Sequence, residues 1–210
     1  MKTLAILLTV LLAGFCQAEL VYDYVIDSYG PTPSLRDSQT MLMIGDAGTG
    51  SLDLWDSSYA RLDGTSPLKQ GGGGVWVIGL AGSSRLEMLG GEVNTLSIGT
   101  HATAVLSGGS IREIDSTQYV WALMGQPPET VWTPHITMIC DVESVVYNET
   151  TRRLTGNWLD GSAFNIQLLD RTAWGYDPAI ENIRFIPEPG TLALLSLCGV
   201  LMRVRLTARS

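Results

Sequence analysis

The sequence predicts an all-β body: a short parallel β-solenoid, then an antiparallel β meander, framed by an N-terminal signal peptide and a single C-terminal helix. Three observations carry this. Apolar and polar residues alternate in short pieces separated by Gly, Ser, Asn and Asp, the pattern of strands with one buried face. Glycine is concentrated, with 15 of 23 glycines between residues 35 and 114, as corners with positive φ require. No stretch between the two ends holds a 3.6-residue period, so no helix is expected there.

The N-terminus carries Lys2, an apolar run over residues 4–15 and Cys16-Gln17-Ala18. A charged region, an apolar core and a small–x–small site predict a secretory signal peptide cut after Ala18. A lipidated Cys16 is the alternative, but Phe15 stands where a lipobox carries a small residue.

Residues 19–115 read as the solenoid-like region. Three stretches start alike, at Ile44-Gly45, Ile78-Gly79 and Ile98-Gly99, and run into Leu52-Asp53-Leu54, Leu86-Glu87-Met88 and Ala104-Val105-Leu106. Two of them end in Gly90-Gly91 and Gly108-Gly109 and resume at Val93 and Ile111. The second and third units start 20 residues apart, which suits one coil of a stack. This register puts Ile44, Ile78 and Ile98 in one inward ladder. The glycine run at residues 71–74 is an insert or a linker. An antiparallel sandwich with hairpins at similar spacing is the competing fold. The region resembles, loosely, the short right-handed β-helix repeats of secreted adhesins and autotransporter passengers.

Residues 116–186 have a different texture. Strands are expected at residues 136–140, 145–147, 153–159, 164–168 and 183–186. Asn148-Glu149-Thr150-Thr151 has the turn chemistry of a hairpin between the second and third of these. Such a meander caps the open end of the stack, which otherwise presents free edges.

Charge excludes one class of partner. Without Lys2, Arg203, Arg205 and Arg209 the body keeps 9 of 13 basic residues, and without Glu188 it keeps 20 of 21 acidic ones, a net charge of −11. A body this acidic, with no basic stripe, repels phosphate backbones, so no nucleic acid is expected as a partner.

The search for chemistry is mostly negative. Cys140 is the one cysteine left between the two terminal signals, so no disulfide forms within the body, and it ends an apolar run as a small core residue. His101 and His135 stand far apart, without zinc-ligand spacing. Asp46, Asp53 and Asp56 are either calcium ligands or solvated turn acids, and the misplaced Asp53 favours the second. No cofactor and no catalytic residue is assigned. Trp121, Trp132, Trp158 and Trp174, with Tyr119, Tyr147 and Tyr176, are either core or a platform for sugar rings. Arg61, Arg85 and Arg112 either line up across coils beside a groove or face solvent.

The C-terminus is the most specific feature. Pro187-Glu188-Pro189-Gly190 is followed by an apolar run over residues 191–202 and by Arg203, Arg205 and Arg209. Proline cannot continue a helix or a central strand, so the run is set apart from the body. As a helix, residues 190–206 cover about 25 Å, short of the roughly 30 Å of bilayer hydrocarbon unless the arginines snorkel to the headgroups. These residues resemble the PEP-CTERM sorting signal of Gram-negative bacteria, over residues 186–210. The resemblance implies a membrane-anchored precursor, handling by an exosortase-type enzyme, and a setting in which exopolysaccharide is made. It assigns the sorting motif to Pro187, Glu188, Pro189, Gly190, Arg203 and Arg205. The expected function is an exported, non-enzymatic scaffold at the cell surface or in the matrix. A carbohydrate-binding module, or a polysaccharide lyase or hydrolase on a β-helix, is the alternative.

Overall fold

The computed structural model describes residues 21–69, 73–99, 101–116, 135–169 and 179–187. These form thirteen strands and one short 3-10 turn, Ala179–Asn182, with no α-helix among them. The protein is all-β and its sheet is mostly parallel. The expected signal peptide, sorting signal and C-terminal helix lie outside the described residues except for Pro187.

The chain alternates between two parallel ladders. The first holds β1 (Tyr24–Ile26), β2 (Thr40–Met43), β4 (Tyr59–Leu62), β6 (Arg85–Met88) and β8 (Thr103–Leu106). The second holds β3 (Thr49–Leu54), β5 (Val75–Leu80), β7 (Glu92–Ile98) and β9 (Ser110–Asp115). β1 pairs with β2, and from there each strand pairs in parallel with the next but one.

Columns of like residues explain the register. Met41, Ala60, Leu86 and Ala104 stack in the first ladder, beside Met43, Leu62, Met88 and Leu106. Leu52, Ile78, Leu96 and Ile114 stack in the second, beside Leu54, Leu80 and Ile98. All are buried and belong to one apolar cluster. Each Leu, Ile or Met side chain among them contributes about 1.5–3 kcal/mol by leaving water, against roughly 0.5–1.5 kcal/mol net for a ladder hydrogen bond. Since a slip by one residue would turn a whole row to solvent, burial sets the pairing.

The corners repeat as closely as the strands. Leu35-Arg36-Asp37-Ser38, Leu54-Trp55-Asp56-Ser57 and Leu80-Ala81-Gly82-Ser83 are stacked turns. Ser57 N–H donates to the Asp37 carbonyl at 2.8 Å, and His101 N–H to the Gly82 carbonyl at 3.0 Å. Asp37, Asp56 and Gly82 hold φ of 55°, 57° and 68°. Aspartate tolerates this left-handed conformation and glycine adopts it freely. At Gly82 a side chain is also excluded by space, because its Cβ would lie 2.8 Å from Asp56 N.

The expected ladder of Ile44, Ile78 and Ile98 is not formed. Ile44 is half-buried in the corner after β2, and Ile78 pairs with Leu96 while Ile98 pairs with Leu80. The pairing there advances by 18 residues, not 20. Leu52-Asp53-Leu54 is likewise no counterpart of Leu86-Glu87-Met88, since β3 and β6 belong to different ladders. Ile-Gly recurs where a strand happens to meet a corner or a small residue, so it marks no fixed point of the coil.

The last region is less separate than expected. β10 (Ile136–Asn148), β11 (Arg153–Trp158) and β12 (Ala163–Leu168) form an antiparallel meander. The start of β10, however, continues the first ladder in parallel, pairing with β8 and with β13 (Ile183–Ile186). β12 continues the second ladder through Gln167 and Leu168. Residues 136–140 and 145–147 are therefore one strand. A register shift between Asp141 and Val146 lets it leave one ladder and enter the hairpin.

Candidate functional site at the exit of the chain

Pro187 is the one residue of the expected sorting motif that is described. It is exposed, directly after β13. It lines an open cleft of about 620 Å³ with Cys140, Asp141, Val142, Glu143, Asn157, Trp158, Leu159 and Gly161. The cleft exists because β10 turns away from the first ladder at Asp141, just where β13 runs out opposite Ile139.

Its floor is chemically quiet. The Cys140 thiol is buried, and burial, then the charge of Asp141, push its pKa up. A thiol held protonated is a poor nucleophile, so the cleft offers no covalent chemistry there. Trp158 is 1% exposed and packs on Phe164 with ring centroids 4.8 Å apart. Its Nε1–H donates to the Gly109 carbonyl at 2.8 Å. The rim is apolar and acidic: Val142 and Leu159 are 41% and 43% exposed, beside exposed Asp141, Glu143 and Asp160. Hydrogen bonds from the Ser162 hydroxyl and N–H hold the Asp160 carboxyl below its usual range, so it stays charged.

A second cluster lies on the outer face of the first ladder. The rings of Tyr22 and Tyr59 stack at 6.3 Å between centroids. Tyr59 O–H donates to Glu87 Oε2 at 2.8 Å, Glu87 also pairs with Arg85, and Arg61 Nε lies 2.6 Å from Asp63 Oδ1. Burial, then the bond to Glu87, push the Tyr59 phenol up. Parallel pairing creates this strip, because Arg61 sits beside Glu87 and Tyr59 beside Arg85. Sequence reasoning missed it, although alternation within β4 and β6 already placed Tyr59, Arg61, Arg85 and Glu87 opposite the apolar positions.

The other candidates scatter. Arg61 and Arg85 share that face, but Arg112 is on β9 in the second ladder beside Glu113, so the three arginines form no row. Asp46 and Asp56 lie in corners at opposite ends of β3, and Asp56 Oδ2 accepts the Asp37 N–H at 3.3 Å. Among the described residues no three His, Cys, Asp or Glu groups converge as metal ligands. His101 is exposed in a corner, whereas His135 is buried with Nδ1 3.1 Å from the Ala102 carbonyl. Trp158 is core, not platform; Trp121, Trp132, Trp174, Tyr119 and Tyr176 lie outside the described residues, as do Ala18, Glu188, Pro189, Gly190, Arg203 and Arg205. No helix among the described residues is long and apolar enough to cross a membrane. No family model, curated protein or solved structure matches the chain.

Proposed function

We propose that the chain is an exported surface or matrix protein whose body is a passive β-solenoid scaffold. In this reading residues 1–18 direct export and residues 19–115 form the coils. Residues 116–186 close the stack, and residues 187–210 are a PEP-CTERM signal with a membrane helix and an arginine tip. An exosortase-type enzyme handles the signal, and the released body joins an exopolysaccharide matrix.

The observation that supports this most is the position of Pro187. It stands exposed one residue after the last described ladder strand, so the motif begins directly beyond that strand. A segment to be handled by another enzyme needs that accessibility. The test is the mass of the mature protein produced in its own host, with and without Pro187→Ala and Pro189→Ala. The expected wild-type mass lacks residues 1–18 and the C-terminal helix. A C-terminus intact through Ser210 in the wild type would contradict the proposal.

Carbohydrate binding is the second reading, and the tyrosine–arginine strip on the first ladder favours it. Stacked phenol rings beside guanidinium and carboxylate groups suit a sugar face and its hydroxyls. Calorimetric titration with neutral and acidic exopolysaccharides tests it, with binding expected to vanish in Tyr59→Ala. New reducing ends in the same mixtures would point instead to polysaccharide cleavage.

A further inference from the structure

We propose that the cap around Pro187 is a docking surface for the membrane enzyme that handles the C-terminal segment, so that recognition extends from the motif onto the folded body. This rests on the sorting reading above and adds to it a second contact, made by Val142, Glu143 and Leu159.

Chain length forces the approach. β13 is pinned to β10 as far as Ile186, which pairs with Ile139, and Pro187 already lines the cleft. Three residues, Glu188, Pro189 and Gly190, separate Pro187 from the apolar run that starts at Thr191. Four extended steps span at most about 14 Å. An enzyme that closes on the motif therefore meets the rim of the cleft. No linker holds the body away.

The rim has the chemistry of a contact and not of an average surface. Val142 and Leu159, 41% and 43% exposed, flank Pro187 around an open cleft, with Val146 exposed further along β10. Apolar groups of this size facing water singly are ordinary, but grouped at a functional exit they mark an interaction site. Asp141 and Glu143 give the rim negative charge, and exposed Asp160 follows Leu159 in the adjoining turn. Negative charge disfavours direct contact with anionic headgroups, because it is repelled by the same surface that attracts basic segments. It suits a protein partner whose exposed surface is apolar with basic groups at its edge. The cap thus favours the enzyme over the lipid as its occupant.

The full-length chain, expressed in its own host, is followed by pulse-chase as precursor converts to the shortened form. Leu159→Arg, Val142→Arg and Glu143→Lys are each expected to slow conversion at least tenfold. Val25→Arg, at a position 56% exposed on β1, the end strand of the first ladder remote from β10, should convert at the wild-type rate. Unchanged melting temperatures of the solubilised precursors show that the rim variants are folded, and three separate variants guard against one misfolding. Conversion of all folded rim variants at the wild-type rate would overturn the proposal. So would faster conversion when ten Gly and Ser residues are inserted after Ile186, since that marks the cap as an obstacle. A wild-type precursor that is never shortened would remove the sorting reading itself, and the proposal with it.

Discussion

The parallel ladders of β1 to β9 and the last part, β10 to β13, pair their strands to different ends. In the ladders a residue's role follows from its column: Leu52, Ile78, Leu96 and Ile114 do one job at successive levels. In the last part each core residue has its own partner. Leu154 faces Ile166 across an antiparallel pair, and Trp158 rests on Phe164 while its indole N–H holds the Gly109 carbonyl. Repetition makes stability a sum of neighbour terms, and it leaves an edge at each end that would pair with anything extended. In the last part β10 and β13 add two rungs to the first ladder, β12 adds one to the second, and β11 ties the two ladders together.

The largest expected effect tests the columns. Leu96→Asp buries an unpaired carboxylate in the centre of the second ladder and should cost more than about 4 kcal/mol, enough to unfold the coils. Ile44→Asp, at a half-buried corner, should cost about 1 kcal/mol. Urea denaturation followed by circular dichroism reads both. Equal losses would mean that Ile44 and Leu96 share one environment.

Trp158→Ala tests the last part, and about 3–5 kcal/mol of destabilisation is expected from the lost volume and the orphaned Gly109 carbonyl. β12 joins β9 through only two residue pairs, so this loss should fall on the junction. Hydrogen exchange is expected to rise in β11 and β12 before it rises in β4 to β7. Uniform loss of protection throughout would merge the two parts into one cooperative unit.

Smaller effects come from the corners and the outer strip. Ser58 and Ser84 are fully buried, their hydroxyls have no hydrogen-bond partner, and the next corner carries Ala102 at the equivalent place. Ser84→Ala should therefore be neutral or stabilising by up to about 1 kcal/mol in thermal denaturation. At Tyr59 the folded phenol is pushed above its usual 10.0, so its contribution is complete below that value and is lost as pH rises beyond it. Wild type should lose more stability than Tyr59→Phe between pH 9 and about pH 11. An identical pH profile would remove the Glu87 bond from the account.

Some of this was legible in the sequence. The strands β11, β12 and β13 fall where alternation and turn residues put them, and Leu86-Glu87-Met88 does lie in register with Ala104-Val105-Leu106. Ile-Gly is the wrong fixed point for the period of the ladders, which is 18 residues from β5 to β7. A corner that needs positive φ constrains residue type more tightly than an inward position that any aliphatic fills. Leu35-Arg36-Asp37-Ser38, Leu54-Trp55-Asp56-Ser57 and Leu80-Ala81-Gly82-Ser83 were the better anchors, at spacings of 19 and 26 that count the inserted loop before β5. β10 escaped recognition as one strand because Asp141 to Ser144 reads as a loop, and only its two sets of partners show the bulge. The exit cleft joins residues more than 40 positions apart, which no local pattern reports. Of its lining, the sequence singles out Pro187, Cys140 and Trp158, each for a separate reason and not as one site.

The register of the parallel ladders is tested most directly by a cross-link. Glu87→Cys with Val105→Cys puts two outward side chains on adjacent parallel strands, paired in β6 and β8, within reach of a disulfide. Mild oxidation followed by peptide mass mapping should give the 87–105 link in high yield, and little or none for Glu87→Cys with Ser107→Cys. The reverse, a 87–107 link without the 87–105 link, would restore the 20-residue coil and contradict the stacking described.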